Sequence, residues 1–264
     1  MSRSLAVRFG IRSSLLALFL TATPTFAQTD YFWNAPNGGS GNWEAATIWS
    51  TTSGGPVDHT WLNNGNERAN FGNTAGTVTL GTGITAYGLN FTTNGYTVTG
   101  NTLTLAGTGG PISVSTGTAT IDSIINSTVG LTKAGTGTLT LGGTNANLAG
   151  VTAVNAGVLA ITNGVALGAV GAGNNTVVAS GATLQVSGAI TVAEAITLSG
   201  NGISNTGALL KTGANTTTWT GVITVTGGGA RIQADAGTLD IRPGANGISA
   251  SGQTLTFGGN GNIT

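Results

Sequence analysis

Cysteine is missing from all 264 residues, and histidine and methionine occur once each. Without cysteine the chain has no disulfide framework, no thiolate metal site and no thiol for lipid attachment. Stability has to come from packing and backbone hydrogen bonds. Charge is scarce too: Asp, Glu, Lys and Arg make up 6% of the chain, about a quarter of the usual share in globular domains. Apolar residues still reach 39% and alternate regularly, which separates the chain from disordered sequences, where charge is high and hydrophobicity low. Long apolar runs are also lacking, and nothing approaches the ~20 residues that span a bilayer.

The longest apolar run, Leu15-Leu16-Ala17-Leu18-Phe19-Leu20, follows Arg3, Arg8 and Arg12 and precedes Thr25-Phe26-Ala27. That order of basic region, apolar core and small-residue cleavage site is the layout of a secretory signal. Residues 1–27 are therefore expected to be a signal peptide, with Gln28 opening a mature, secreted or cell-surface chain. Three of the eight basic residues and none of the eight acidic ones fall in the signal, so the mature chain carries 5 − 8 = −3. Scattered charges of that sign argue against nucleic acid or anionic membrane as partner, since clustered Lys and Arg hold both.

Glycine is abundant, at 46 residues, and it punctuates short strands of alternating apolar and Thr or Ser positions. Thr77-Val78-Thr79-Leu80-Gly81, Tyr96-Thr97-Val98-Thr99-Gly100 and Thr138-Leu139-Thr140-Leu141-Gly142 are examples. Period two places Leu and Val on one face and Thr on the other. An antiparallel sandwich would use longer strands and more core aromatics. The very short strands, and the near absence of aromatics after Tyr96, favour a parallel β-helix with Gly or Asn at its corners. At 20–24 residues per coil the mature chain would make on the order of ten coils, a rod roughly 50 Å long at the ~4.8 Å strand spacing.

One block is written twice. Leu131-Thr132-Lys133-Ala134-Gly135 through Leu141, closed by Ala156-Gly157-Val158-Leu159-Ala160-Ile161, is answered by Leu209, Lys211, Gly213 and Trp219, closed by Ala236-Gly237-Thr238-Leu239-Asp240-Ile241. A unit of about thirty residues with short alternating strands cannot bury its apolar side alone and must stack on copies of itself. Residues 28–75 differ, carrying Trp33, Trp43, Trp49, Trp61 and His59. They read as an irregular, Trp-rich N-terminal cap, leaving 76–264 as the β-helix repeats with their clearest copies at 130–161 and 208–241.

The block from Gly130 to Gly143, followed by Val154 to Ile161, resembles the autotransporter-associated β-strand repeat, and the aromatic opening ahead of Ala69-Asn70-Phe71 is similar to the start of such passenger proteins. The resemblance implies a secreted, single-stranded right-handed parallel β-helix at the cell surface, structural or adhesive, without catalytic residues, cofactor or metal. Surface glycans or other cell-surface proteins would be its partners. No C-terminal barrel of the family's plan is present before Gly261-Asn262-Ile263-Thr264.

The enzymatic alternative is a polysaccharide lyase or glycosidase on the same fold, which needs two carboxyl groups at one sugar bond, or a base beside arginine or calcium. Only Asp235 and Asp240 lie close in sequence, with Arg231 and Arg242 nearby, and a solvated charged patch is the expected outcome. His59 beside Asp58 suggests a general base but has no nucleophile motif to serve. The matched places of Lys133 and Lys211 point to hydrogen bonds with turn carbonyls instead of amine chemistry. Gly168–Gly173 lacks the following helix of a phosphate loop, and Gly258–Ile263 has Ile263 where a calcium-binding repeat needs Asp. Exposed tryptophans could stack on sugars; filling the cap is the favoured role for Trp33, Trp43, Trp49 and Trp61.

Overall fold

The computed structural model describes residues 28–35, 39–46, 48–244 and 247–264, and the expected signal peptide lies outside them. Within them the alternation in sequence becomes alternation across a wall. In Thr138–Leu141 the side chains of Leu139 and Leu141 are buried inside while Thr138 and Thr140 face out, as the pleat requires. Corners follow the strands: Gly135 adopts φ +76°, a left-handed value open to glycine without steric cost. Three strand-and-corner steps bring the chain round, one strand spacing further along.

The result is a β-solenoid of about eight turns, with no α-helix among the described residues. On the first face the stacked inward positions are Ala69, Leu89, Ile112, Lys133, Val154, Val178, Leu198 and Val225. On the second they are Val78, Val98, Ile121, Leu141, Ile161, Val186, Lys211 and Ala234. Successive first-face positions are 20, 23, 21, 21, 24, 20 and 27 residues apart. The turn number falls below the expected ten because some coils are longer than 24 residues and because residues 48–66 contribute no strand to the parallel stack.

The parallel stack reaches back into the Trp-rich segment. Thr29–Trp33 pairs in parallel with Glu67–Phe71, and the only antiparallel ladder among the named strands joins Thr29–Trp33 to Trp49–Ser50. The third face is divided. Ile84–Ala86, Leu103–Leu105 and Ile125–Asn126 form one parallel sheet, and Thr191–Val192, Thr216–Trp219, Thr238–Ile241 and Asn262–Ile263 form another. Between them lie turns, and the buried Asn145 takes over part of the ladder. Its Oδ1 accepts from the Ile125 N–H at 2.8 Å, and its Nδ2 donates to the Ala166 carbonyl at 2.8 Å.

The two copies of the repeated block stand on different faces. Lys133 lies on the first face, with Thr138–Leu141 following on the second; Lys211 lies on the second, with Thr216–Trp219 following on the third. Leu209 − Leu131 is 78 residues, which spans three coils, counted through Thr152, Thr176 and Ile196, plus one face. The repeated unit is thus a corner with its two flanking strands, placed once at each of two corners.

Candidate functional site

Both block lysines point into the solenoid wall and are 0% exposed. Lys133 Nζ donates to the carbonyls of Ala134 (2.9 Å), Gly135 (2.8 Å) and, from the next coil, Ala156 (3.0 Å). Lys211 Nζ repeats the pattern with Thr212 (2.6 Å), Gly213 (2.7 Å) and Ala236 (3.4 Å). Each ammonium group has three donors, and each cage uses all three. Burial pushes Lys133 down to about 8 and lowers Lys211 as well. An amine enclosed in this way ties one coil to the next and offers no lone pair to a substrate.

The tryptophans are also committed to the interior. Trp43 packs against Trp49 and Trp61 at ring-centre distances of 5.0 Å and against Phe71 at 5.5 Å. Indole N–H groups hold the cap's backbone: Trp33 Nε1 donates to Gly39 (2.8 Å), Trp49 Nε1 to Trp43 (2.9 Å) and Trp61 Nε1 to Thr85 (3.1 Å). Among the described residues Trp43 Nε1 has no hydrogen-bond partner, yet its ring is buried like the others; rings so buried are unavailable for stacking on a sugar.

His59 does not work with Asp58. Its Nε2 lies 2.7 Å from Glu67 Oε1, while Glu67 Oε2 accepts from the Leu62 N–H at 2.7 Å. The Tyr31 ring lies flat on the imidazole at 3.5 Å. Asp58 instead accepts from the Thr51 hydroxyl and N–H at 2.7 and 2.8 Å, which hold its carboxyl below the usual range.

At the other end Asp235 and Asp240 are not brought together. Asp235 follows the second-face strand and accepts from Gln233 Nε2 at 2.6 Å, and Gln233 Oε1 in turn accepts from Arg231 Nε at 2.7 Å. Asp240 lies on the third face, paired with Arg242 at 2.7 Å. Asp30 is held by Arg68 through two bonds of 2.7 and 2.9 Å, and Glu44 accepts from the Thr82 N–H at 2.6 Å. Ile263 sits beside Leu239 on the third face. Gly168 to Gly173 occupy turns in the gap of that face, ahead of the strand Thr176–Val178.

Glu194 was not singled out in the sequence. It is 3% exposed, and its Oε2 has no hydrogen-bond partner. Burial raises its carboxyl to about 7, and the neighbouring Thr176 hydroxyl opposes that shift without closing a bond of normal geometry.

A cleft lies at the cap, between residues of the Trp-rich segment and the first coils. Its main lobe, about 360 Å³, lies between Asn34, Gly54, Asn73, Thr74 and Tyr96. A side lobe of about 110 Å³ shares Trp33 and Asn73 with it and runs along Phe32, Asn70, Asn90 and Thr92. Tyr96 fixes the bend between them by donating its hydroxyl to the carbonyls of Gly72 and Thr74, the latter at 2.9 Å. Asn73, in the middle of that bend, has φ +54°, an uncommon value for a residue with a side chain. The sequence does carry a trace of this wall in Asn70-Phe71 and Asn90-Phe91, twenty residues apart and paired in register.

No family model matches the chain, no curated protein matches it and no solved structure matches it. Its function has to be argued from the geometry above.

Proposed function

We propose that this chain is an exported, non-catalytic β-solenoid that serves at the cell surface as a structural or adhesive rod, of the kind found in autotransporter passengers. The observation that carries this is the use of charge. Lys133 and Lys211 spend all their donors on corner carbonyls. His59–Glu67, Arg68–Asp30 and Arg242–Asp240 pair with each other across or along strands. Side chains consumed in this way strengthen a scaffold, whereas hydrolysis or elimination at a sugar bond requires carboxylates converging on one groove. The twice-written block supports kinship with the autotransporter-associated repeat, and the signal-like residues 1–27 support export.

Fractionation and N-terminal sequencing of the protein from producing cells test the proposal. Recovery from the surface or medium, beginning at Gln28, is the expected result. Retention in the cytoplasm with residues 1–27 intact, or depolymerisation of a polysaccharide by the purified protein, would overturn it.

A further inference from the structure

We infer that the cap cleft is a binding site for a neutral oligosaccharide, and that this is where the rod attaches. The inference deepens the adhesive function proposed above and rests on it for its biological setting.

The chemistry of the lining selects the ligand. Its walls carry amides, hydroxyls and one partly exposed phenyl ring, and none of the lining residues is charged. The charges beside the row, Asp30 and Arg68, neutralise each other through two bonds of 2.7 and 2.9 Å, so the lining offers neither an anionic nor a cationic ligand an unpaired partner. Hydrogen-bonding capacity remains open along the cleft. Asn34 Nδ2 donates to the Gly55 carbonyl at 2.7 Å and Asn90 Nδ2 to Asn70 Oδ1 at 3.1 Å, and among the described residues the Oδ1 of Asn34 and of Asn90 is left to accept from a ligand hydroxyl. Among the described residues the Asn73 side chain makes no hydrogen bond within the chain.

The aromatic component is Phe32, not a tryptophan. Phe32, Asn70 and Asn90 occupy successive outward positions of the first face, one strand spacing apart. A sugar has an apolar C–H face and a rim of hydroxyls, and this row offers the Phe32 ring for the face and the Asn90 amide for the rim, with the buried Asn70 between them holding Asn90 in place. Volume agrees with this: the main lobe of about 360 Å³ falls within the range of small-molecule sites, roughly 300–1,000 Å³, and the side lobe extends it along the row.

Two parts of the cleft wall are fixed before any ligand arrives. Trp33 holds Gly39, and Tyr96 holds the Gly72–Thr74 bend that presents Asn73. Fixing the polar groups in advance lowers the entropic cost of binding, and the left-handed backbone at Asn73 is strain that the surrounding bonds maintain.

The test is an array of neutral oligosaccharides, including hexaoses of glucose, mannose and galactose and oligomers of N-acetylglucosamine, followed by calorimetry on the strongest. Sulfated and sialylated glycans serve as charged comparators. The purified full chain is expected to bind one neutral class in preference to the charged ones. Phe32→Ala and Asn90→Ala are expected to weaken it at least tenfold, with the thermal midpoint monitored. Asn73→Gly, which keeps the backbone conformation and removes the amide, is expected to weaken binding similarly while the fold gains stability. Absence of neutral-glycan binding, preference for a charged glycan, or affinity unchanged in Asn73→Gly would overturn the inference. Surface display without glycan binding removes the cleft and leaves the rod; cytoplasmic retention removes the rod while the purified protein still tests the cleft.

Discussion

Lys133 and Lys211 make the same three-carbonyl contact at two different corners of one prism. In each, the amine reaches the carbonyls one and two residues ahead of it and then a carbonyl of the following coil, Ala156 or Ala236. The contact belongs to the local corner and is indifferent to the face on which that corner falls.

Replacing either lysine by methionine keeps most of the volume and removes the donors. Three buried carbonyls then lose a partner, and each unsatisfied group costs about 1–3 kcal/mol, offset by relief from burying an ammonium group. Lys133→Met and Lys211→Met are each expected to lower unfolding stability in urea by about 1–3 kcal/mol. Because the sites lie in separate coils the double variant should be additive. A cost at one site alone would show that the two cages are not equivalent.

Gly157 faces the Lys133 cage with φ +68°, and a Cβ there would come within 2.3 Å of the Gly137 carbonyl oxygen and 2.8 Å of Lys133 Nζ. Gly157→Ala therefore meets both backbone strain and a clash with main chain, for an expected loss of about 1–3 kcal/mol. Adding Lys133→Met should not restore it, because the closer obstacle is backbone. Gly213, with φ +77° and no atom near its Cβ position, is the comparison site, where only the backbone cost applies.

Stability is expected to pass through a minimum near pH 7–8. The Glu194 carboxyl is raised from 4.5 to about 7, so the folded chain binds more protons than the unfolded one between those values and stability falls as pH rises through them. Lys133 is lowered from 10.5 to about 8. Across that window the unfolded chain binds more protons, and stability climbs with pH. Either slope can reach about 1.4 kcal/mol per pH unit. Glu194→Gln should abolish the fall and Lys133→Met should reduce the climb, with Lys211, also lowered, supplying the remainder, in urea titrations across pH 5 to 10. In strong acid Asp30, Glu44 and Asp58, all lowered by their partners, lose those contacts and stability declines again.

A fragment of residues 76–264 should aggregate, by light scattering at micromolar concentration. Without the preceding residues, Gly88–Phe91 loses Glu67–Phe71 and Thr77–Leu80 loses Gly41–Asn42. The fragment would begin with open strand edges above the uncovered rings of Phe91 and Tyr96. A soluble, monomeric fragment would show that the Trp-rich segment is not a cap.

Much of the solenoid was legible because its inward and outward rows alternate without exception in strands such as Thr97–Thr99 and Thr138–Leu141. Corner glycines and the paired lysines could be read for the same reason, since each encodes a local event. The rotation of the second copy was not legible: it depends on the summed length of three intervening coils, and the turns in the divided face change that sum. The cleft was missed because its side chains come from Phe32, Asn70 and Asn90, each unremarkable in its own strand and meaningful only once stacked. Glu194 has no signal in the sequence, since burial of a corner residue has no period to reveal it.

The gap in the third face has a mechanical consequence. Two walls of the prism carry continuous ladders of inter-strand hydrogen bonds, while the third is joined across residues 127–175 by turns, the Asn145 amide, a bridge between Ser127 and Leu148, and a backbone bond from the Ala169 N–H to the Leu148 carbonyl at 2.9 Å. A sideways load stretches one wall and compresses the opposite side. The rod should therefore yield most easily when the third wall is the one under tension, giving it a preferred plane of bending at mid-length and a stiff, load-bearing back formed by the other two.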